Sequence, residues 1–179
     1  MLSVRIDTFP VVVTTFGESF SEEDFAIYRE VHEAILARDE AYVSLIDTSA
    51  LVTVPSISVR NDVIEFARRN GDTLAHRCLA TELVVQSIAV RTALSAVQWF
   101  SSTPRSVSLH ASLRPAVSRS LDVVWTNQLT TSDTLLAYHD EVMNMQSMRP
   151  PRPSGSFTKR GLPSRIEGLL RRTRKPDAK

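Results

Sequence analysis

The stretch VSLIDTSALVTVPSISVR, residues 43–60, decides the fold class. Its first half belongs to an apolar run of strand length, AYVSLIDTS at 41–49. Helical spacing then begins at Val59 and continues at Val63, with Ser58 predicted to cap the new helix. A buried strand that passes directly into an amphipathic helix is typical of α/β domains.

The flanking sequence repeats this alternation of strands and helices. Strand patterns are predicted over 3–16 (divided near Pro10), 41–49, 81–90 and 106–113, the last at a sheet edge. Helical patterns are predicted over 21–38, from 58 onward, over 91–102, and over 115–148 as two helices. Strands separated by helices of this length favour right-handed crossovers and parallel pairing. We therefore predict an α/β fold: a small, mainly parallel or mixed sheet of four or five strands with covering helices and two extra C-terminal helices.

Length and composition indicate one cytoplasmic domain. The chain has 179 residues, of which 42% are hydrophobic and 23% charged, as in ordinary globular proteins. No apolar run approaches the roughly 18 residues of a membrane span, and the N-terminus MLSVRIDTFP lacks the pattern of a secretory signal. The single cysteine, Cys78, excludes an internal disulfide and is expected to be a buried thiol.

Charge divides the chain into two parts. Residues 149–179 contain ten basic and two acidic residues, a net charge of +8, whereas residues 1–148 contain eleven basic and eighteen acidic residues, a net charge of −7. We predict an acidic domain over 1–148 and a flexible basic tail with a short amphipathic helix. The tail could be solvated, could order on a protein partner, or could contact nucleic acid or an anionic membrane. Its candidate contact residues are Arg165, Arg171, Arg172, Arg174 and Lys175.

Motifs of catalysis are absent from the sequence. There is no HExxH pair, no GxSxG elbow and no glycine-rich phosphate loop. His32 is predicted to lie on the solvated face of its helix, and His110 is predicted to point outward from the last strand. We therefore predict a protein that is not an enzyme and that has no metal and no cofactor.

Polar residues gather where the predicted strands end. Because the carboxyl ends of parallel strands share one edge of an α/β sheet, ligands collect there. Hydroxyl and carboxylate groups at such positions also cap helices and satisfy turns, so both capping and recognition or modification remain open. The candidates are Asp47, Thr48, Ser49, Ser56, Ser58, Gln86 and Ser87.

The order of elements, from SEEDFAIYREVHEAILARDEAYVSLIDTSAL through TELVVQS and RTALSAVQWF to SVSLHASL, resembles the SpoIIAA-like (STAS-like) domains of bacteria over roughly residues 4–125. The resemblance implies a small βαβ sheet that binds protein partners, and some such domains bind nucleotides or lipids. In the anti-sigma-factor antagonists of this superfamily, a phosphorylatable Ser or Thr opens the second helix after an Asp-Ser-Ser-Gly-type turn. Here Pro55 stands at the position of the Asp, no glycine follows, and Ser56 is the nearest match to the phosphorylated residue.

Three functions are compatible with these features. We predict a non-enzymatic regulatory or adaptor protein that binds a protein partner through the STAS-like domain, with the basic tail as a second contact. The alternatives are a domain that binds a small molecule, lipid or nucleotide, and a module tethered by its tail to nucleic acid or a membrane surface. Large side chains in the later helices form either core or an interface with a partner or a second copy. They are Trp99, Phe100, Trp125, Met143, Met145 and Met148.

Overall fold

The computed structural model describes residues 1–87 and 107–145. The predicted helix over 91–102 and the predicted basic tail lie outside these described residues. The strands are β1 (Leu2–Arg5), β2 (Val11–Phe16), β3 (Tyr42–Asp47), β4 (Cys78–Val84) and β5 (Val107–His110). The helices are α1 (Glu22–Leu36), α2 (Ile57–Arg69), α3 (Gly71–Arg77), α4 (Leu113–Thr126) and α5 (Asp133–Met145).

The five strands form one mixed sheet in the order β1-β2-β3-β4-β5. β1 pairs antiparallel with β2, and the other three pairings are parallel. The break near Pro10, the small mixed sheet and the edge position of the last strand are confirmed. Because parallel neighbours need a crossover connection, α1 joins β2 to β3, and α2 with α3 joins β3 to β4.

The two faces of the sheet bury two separate hydrophobic clusters. Side chains alternate along a strand, so Tyr42 and Ile46 of β3 pack with residues of α1 and α2. Val43 and Leu45 of the same strand pack on the opposite face with α4 and α5. All six residues of β3 are buried, and burial of each large apolar side chain stabilises the fold by roughly 1.5–3 kcal/mol. β3 is therefore the centre of the domain.

Helix α1 begins with a capping box, and the Asp24 carboxylate of this box also binds the backbone of β1. The Ser21 hydroxyl accepts from the Asp24 backbone N–H at 3.2 Å, and the Asp24 carboxylate accepts from the Ser21 backbone N–H at 3.1 Å. The other Asp24 oxygen accepts from the backbone N–H of Leu2 at 2.9 Å, which ties β1 to the helix start. Burial opposes ionisation of Asp24, but these hydrogen bonds outweigh it and hold the pKa of the carboxyl below its usual value.

Several element boundaries differ from the predicted ones. β4 begins at Cys78, three residues before the predicted start, and β5 ends at His110 because the chain turns into α4. The helical pattern after residue 58 is two helices instead of one. Asn70 ends α2, since both its backbone N–H and its side-chain amide donate to the carbonyl of Phe66, and α3 begins at the next residue.

Candidate functional site

Asp47 and Thr48, at the carboxyl end of β3, are buried and bonded to their neighbours. One Asp47 oxygen accepts from the backbone N–H of Ser49 at 2.9 Å. The hydroxyl and the backbone N–H of Thr48 both donate to the carbonyl of Val84, at 2.6 and 3.0 Å. These groups therefore close the turn after β3 and join the ends of β3 and β4.

The other predicted strand-end residues are more accessible. Ser49 and Gln86 are exposed, and Ser87 is half-buried. β4 ends at Val84, so Gln86 and Ser87 follow the strand and are not part of it. The strand-end residues share one edge of the sheet, but the buried ones serve the turn and the exposed ones face solvent.

In the loop after β3, the side chain of Leu51 is buried and the side chain of the next residue, Val52, is exposed. Leu51 is buried in the core. The backbone N–H groups of Val52 and Thr53 both donate to the carbonyl of Glu18, at 2.9 and 3.2 Å, which fixes the loop against the segment between β2 and α1. With its backbone held in this way, the Val52 side chain is 72% exposed, and that of Val54 is also exposed.

Ser56 caps α2, which corrects the prediction that Ser58 does so. The Ser56 hydroxyl accepts from the backbone N–H of Val59 at 3.2 Å, and the helix begins at Ile57. Pro55 precedes this cap. The helix starts two residues before Val59, where the apolar spacing begins. The spacing missed this start because Ile57, the first residue of the helix, is exposed and does not belong to the buried face. Ser58 is exposed within that turn.

The outer face of α2 continues the apolar surface of the loop. Its inner face buries Val59, Val63 and Phe66. Ile57 is 68% exposed, and Ile64, two turns further along the same face, is also exposed. We call the exposed side chains of this region the β3–α2 surface. Its members are Val52, Val54, Ser56, Ile57, Ser58 and Ile64.

Charged residues are also exposed in α2 and in the segment that holds the loop. On α2, Arg68 and Arg69 each donate to the Glu65 carboxylate at 2.9 Å, and these hydrogen bonds lower the pKa of Glu65 to about 2. In the segment that holds the loop, the Glu18 side chain is exposed, and α1 then begins with the exposed Glu22 and Glu23. An apolar centre with a charged rim is the usual composition of a protein interface.

Comparison with known proteins gives the fold. No family model matches the chain, and no curated protein matches it. Among solved structures, the chain is similar to an uncharacterized protein of the DUF3478 family with a SpoIIAA-like fold from Shewanella loihica PV-4, with a TM-score of 0.51 and 18% identity. The similarity covers 67% of this chain and 92% of that one.

This chain has a SpoIIAA-like fold. The resemblance predicted from the sequence is therefore confirmed at the level of the fold. In this SpoIIAA-like domain, Ser56 is the cap of the second helix, the place that the resemblance assigns to a phosphorylatable hydroxyl. The Ser56 hydroxyl accepts a hydrogen bond from the backbone N–H of Val59. Pro55 stands where the resemblance places an Asp.

His110 does not point outward, so that prediction is wrong. Its side chain is largely buried, and its Nε2 lies 2.5 Å from an oxygen of Glu82, which is fully buried in β4. The neighbour Leu109 takes the exposed position instead. Because strand side chains alternate, the buried Val84 that pairs with His110 places it on the face covered by α4 and α5. The signal that could have revealed the pair is the acidic residue inside the apolar run of β4.

His32 is buried as well, which corrects its predicted place on a solvated helix face. It lies seven residues after Phe25 and four after Tyr28, on the inner stripe of α1. Its ring stacks on Tyr28 with the centroids 3.9 Å apart, and its Nδ1 lies 2.9 Å from the Tyr28 carbonyl oxygen. His32 continues the helical spacing of Phe25, Tyr28 and Ile35, and this spacing could have indicated that His32 is buried.

Cys78 is buried, as predicted. Its thiol donates to the carbonyl of Ala80 at 3.4 Å, and burial raises its pKa. The thiol is therefore protonated at neutral pH. Within residues 1–87 and 107–145, no group of three or more His, Cys, Asp or Glu side chains is placed to hold a metal ion.

The late helices expose two of the large side chains assigned to core or interface. Trp125 is 55% exposed and Met145 is also mostly exposed, so the core interpretation is wrong for both. Met143 is half-buried. Trp99, Phe100 and Met148 lie outside the described residues. No helix in the described part of the chain is both long enough and apolar enough to cross a membrane.

Proposed function

We propose that this protein is a non-enzymatic regulatory or adaptor protein that binds a protein partner through the β3–α2 surface. The observation that carries the proposal is the exposure of Val52, Val54 and Ile57 within a stretch of six residues, on a loop whose backbone is held in place and at the start of α2. Exposed apolar side chains that cluster in this way mark interaction sites more often than singly exposed ones do.

The anchoring of the loop supports binding of a partner without large rearrangement. Leu51 is buried on one side, Ser56 caps α2 on the other, and Glu18 accepts two backbone hydrogen bonds between them. A segment held at both ends loses little conformational entropy when it binds. The valine and isoleucine side chains are therefore already presented to a partner.

The charges around the surface indicate the chemistry of that partner. Glu18 is exposed where its backbone holds the loop, and residues 1–148 carry a net charge of −7. Complementary charge at an interface rim steers association and selects partners. We infer a partner protein with an apolar contact surrounded by lysine or arginine. The basic tail, with its net charge of +8, is proposed as a second contact, on an acidic part of the same partner.

Site-specific photo-crosslinking in the cell that makes the protein tests this proposal. A photoreactive amino acid replaces Val54, inside the β3–α2 surface, or Ile27, which is 50% exposed on α1 and serves as the matched control. We expect a discrete crosslinked protein from position 54 and none from position 27, because only the first lies in the proposed interface.

The crosslinked product also distinguishes the kinds of partner. A different protein that is crosslinked from position 54 alone supports the proposal. A product of twice the chain mass identifies a second copy and contradicts the adaptor role. Equal yields of the same product from both positions would show that position 54 is crosslinked only because it is exposed. The proposed interface would then be wrong.

A further inference from the structure

A cavity of about 70 Å³ lies between the sheet and the helices α1, α2 and α3. It is several times the roughly 10–15 Å³ that a single water molecule requires. This cavity is on the opposite side of the sheet from α4 and α5, and none of the six residues of the β3–α2 surface lines it. Its walls are Tyr28, His32, Tyr42, Ser44, Ile46, Val63, Phe66, Ala67, Leu74, Cys78, Thr81 and Val107.

The His32 ring presents an unused hydrogen-bond acceptor among these walls. Its Nδ1 lies 2.9 Å from the carbonyl oxygen of Tyr28. A carbonyl oxygen can only accept, so Nδ1 carries the proton and donates it. In a neutral imidazole the other nitrogen, Nε2, is then a bare acceptor. Nε2 is buried and has no hydrogen-bond partner among the described residues.

The other described residues of the wall are neutral. It combines aliphatic and aromatic side chains with the hydroxyls of Ser44 and Thr81 and the thiol of Cys78. Burial raises the pKa of Cys78 and of both tyrosines, so these groups stay protonated at neutral pH. Within residues 1–87 and 107–145, no lysine, arginine, aspartate or glutamate lines the cavity. A charged ligand would lose its hydration here without gaining an opposite charge.

We propose that this cavity binds a small neutral molecule, largely apolar, with one hydroxyl or N–H group that donates to Nε2 of His32. The apolar walls take up the body of the ligand, and the donor satisfies Nε2 of His32, which has no hydrogen-bond partner among the described residues. A few convergent polar groups in a mainly apolar pocket are the usual arrangement of a small-molecule site. The inference is independent of the proposed partner surface, since the two rest on different residues.

Pyrrole and furan are matched probes small enough for a cavity of this size. They have nearly the same shape, but only pyrrole carries a donor. We expect the full-length protein to bind pyrrole about tenfold more tightly than furan, since furan would leave Nε2 unsatisfied. His32→Phe should abolish this preference. Ala67→Leu, which places a larger side chain in the cavity wall, should weaken both probes, whereas Ala26→Leu on the exposed side of α1 should change neither.

Nitrogen NMR of the wild-type histidine rings provides a second measurement that does not depend on the folding of a variant. Pyrrole should shift the Nε2 resonance of His32, because a new hydrogen bond forms there, and furan should leave it in place. Equal affinity for the two probes would overturn the proposal, as would pyrrole binding without a change at Nε2. Failure of both probes to bind would also overturn it, since the cavity would then hold no such ligand.

Discussion

Replacement of His110 by leucine should lower the free energy of unfolding by about 3–5 kcal/mol. Glu82 is fully buried, and among the described residues His110 is the only side chain bonded to its carboxyl group. The other Glu82 oxygen is buried without a hydrogen-bond partner. Without His110, both oxygens of Glu82 would be buried and without a side-chain partner among the described residues. Chemical denaturation of the wild type and the variant measures the loss.

The double replacement Glu82→Leu/His110→Leu separates the loss of a partner from the loss of packing. Exchange of a whole buried polar pair for apolar side chains is often neutral or stabilising. We therefore expect the double variant to recover stability to within about 1 kcal/mol of the wild type. The control His76→Leu, at an exposed histidine, should change stability by less than about 0.5 kcal/mol. A double variant that is less stable than His110→Leu would contradict this account of the pair.

His32 should make the protein less stable in mild acid. Burial lowers the pKa of His32 to about 4, from 6.5 for an ordinary histidine, against the opposing effect of the Tyr28 carbonyl. Between pH 6.5 and pH 4 the unfolded chain therefore binds a proton that the folded chain excludes. Stability is fully present above pH 6.5 and falls as the pH decreases to 4, by about 3 kcal/mol from this group.

Denaturation at a series of pH values tests the contribution of His32. The variant His32→Phe has no group to protonate at this site, so its stability should fall by about 3 kcal/mol less than that of the wild type over the same range. His76→Gln, at an exposed histidine, should follow the wild-type curve. Parallel curves for the wild type and His32→Phe would show that the ring of His32 is accessible to protons in the folded state.

The alternation of strands and helices could be predicted because it depends on local patterns. β-branched runs, helical spacing and the box of Ser21 with Asp24 each specify their own segment. Parallel pairing then follows from the length of the connections. These local signals were sufficient for a small mixed or mainly parallel sheet of four or five strands, whereas the SpoIIAA-like fold was predicted from a family resemblance.

The buried polar groups could not be predicted from the same patterns. Glu82 and His110 are 28 residues apart in sequence, and their contact depends on the register of β4 with β5. His32 was placed on a solvated face because histidine and its neighbour Glu33 are polar, yet it continues the stripe of Phe25 and Tyr28. The cavity lies between three helices and three strands, so no single segment indicates it.

The sequence indicated only part of the β3–α2 surface, because the position of its loop also depends on a contact between distant segments. The sequence drew attention to its hydroxyl groups, Ser56 and Ser58, but the cap proved to be Ser56. The sequence did not single out Val52 or Ile57, which lie between the predicted strand and the predicted helical spacing. The position of Val52 depends on the backbone hydrogen bonds from Val52 and Thr53 to Glu18, in a segment more than thirty residues away.

The affinity of the crosslinked partner for defined surface variants tests the central claim most directly. Titration calorimetry would compare the wild type with Val52→Ser/Ile57→Ser and with the control Ile27→Ser, all at exposed positions that do not contribute to the core. We expect the double variant to bind at least about tenfold more weakly, because exposed apolar anchors supply much of an interface's free energy. The control should bind as the wild type does. Equal affinity of the double variant and the wild type would show that the partner binds elsewhere.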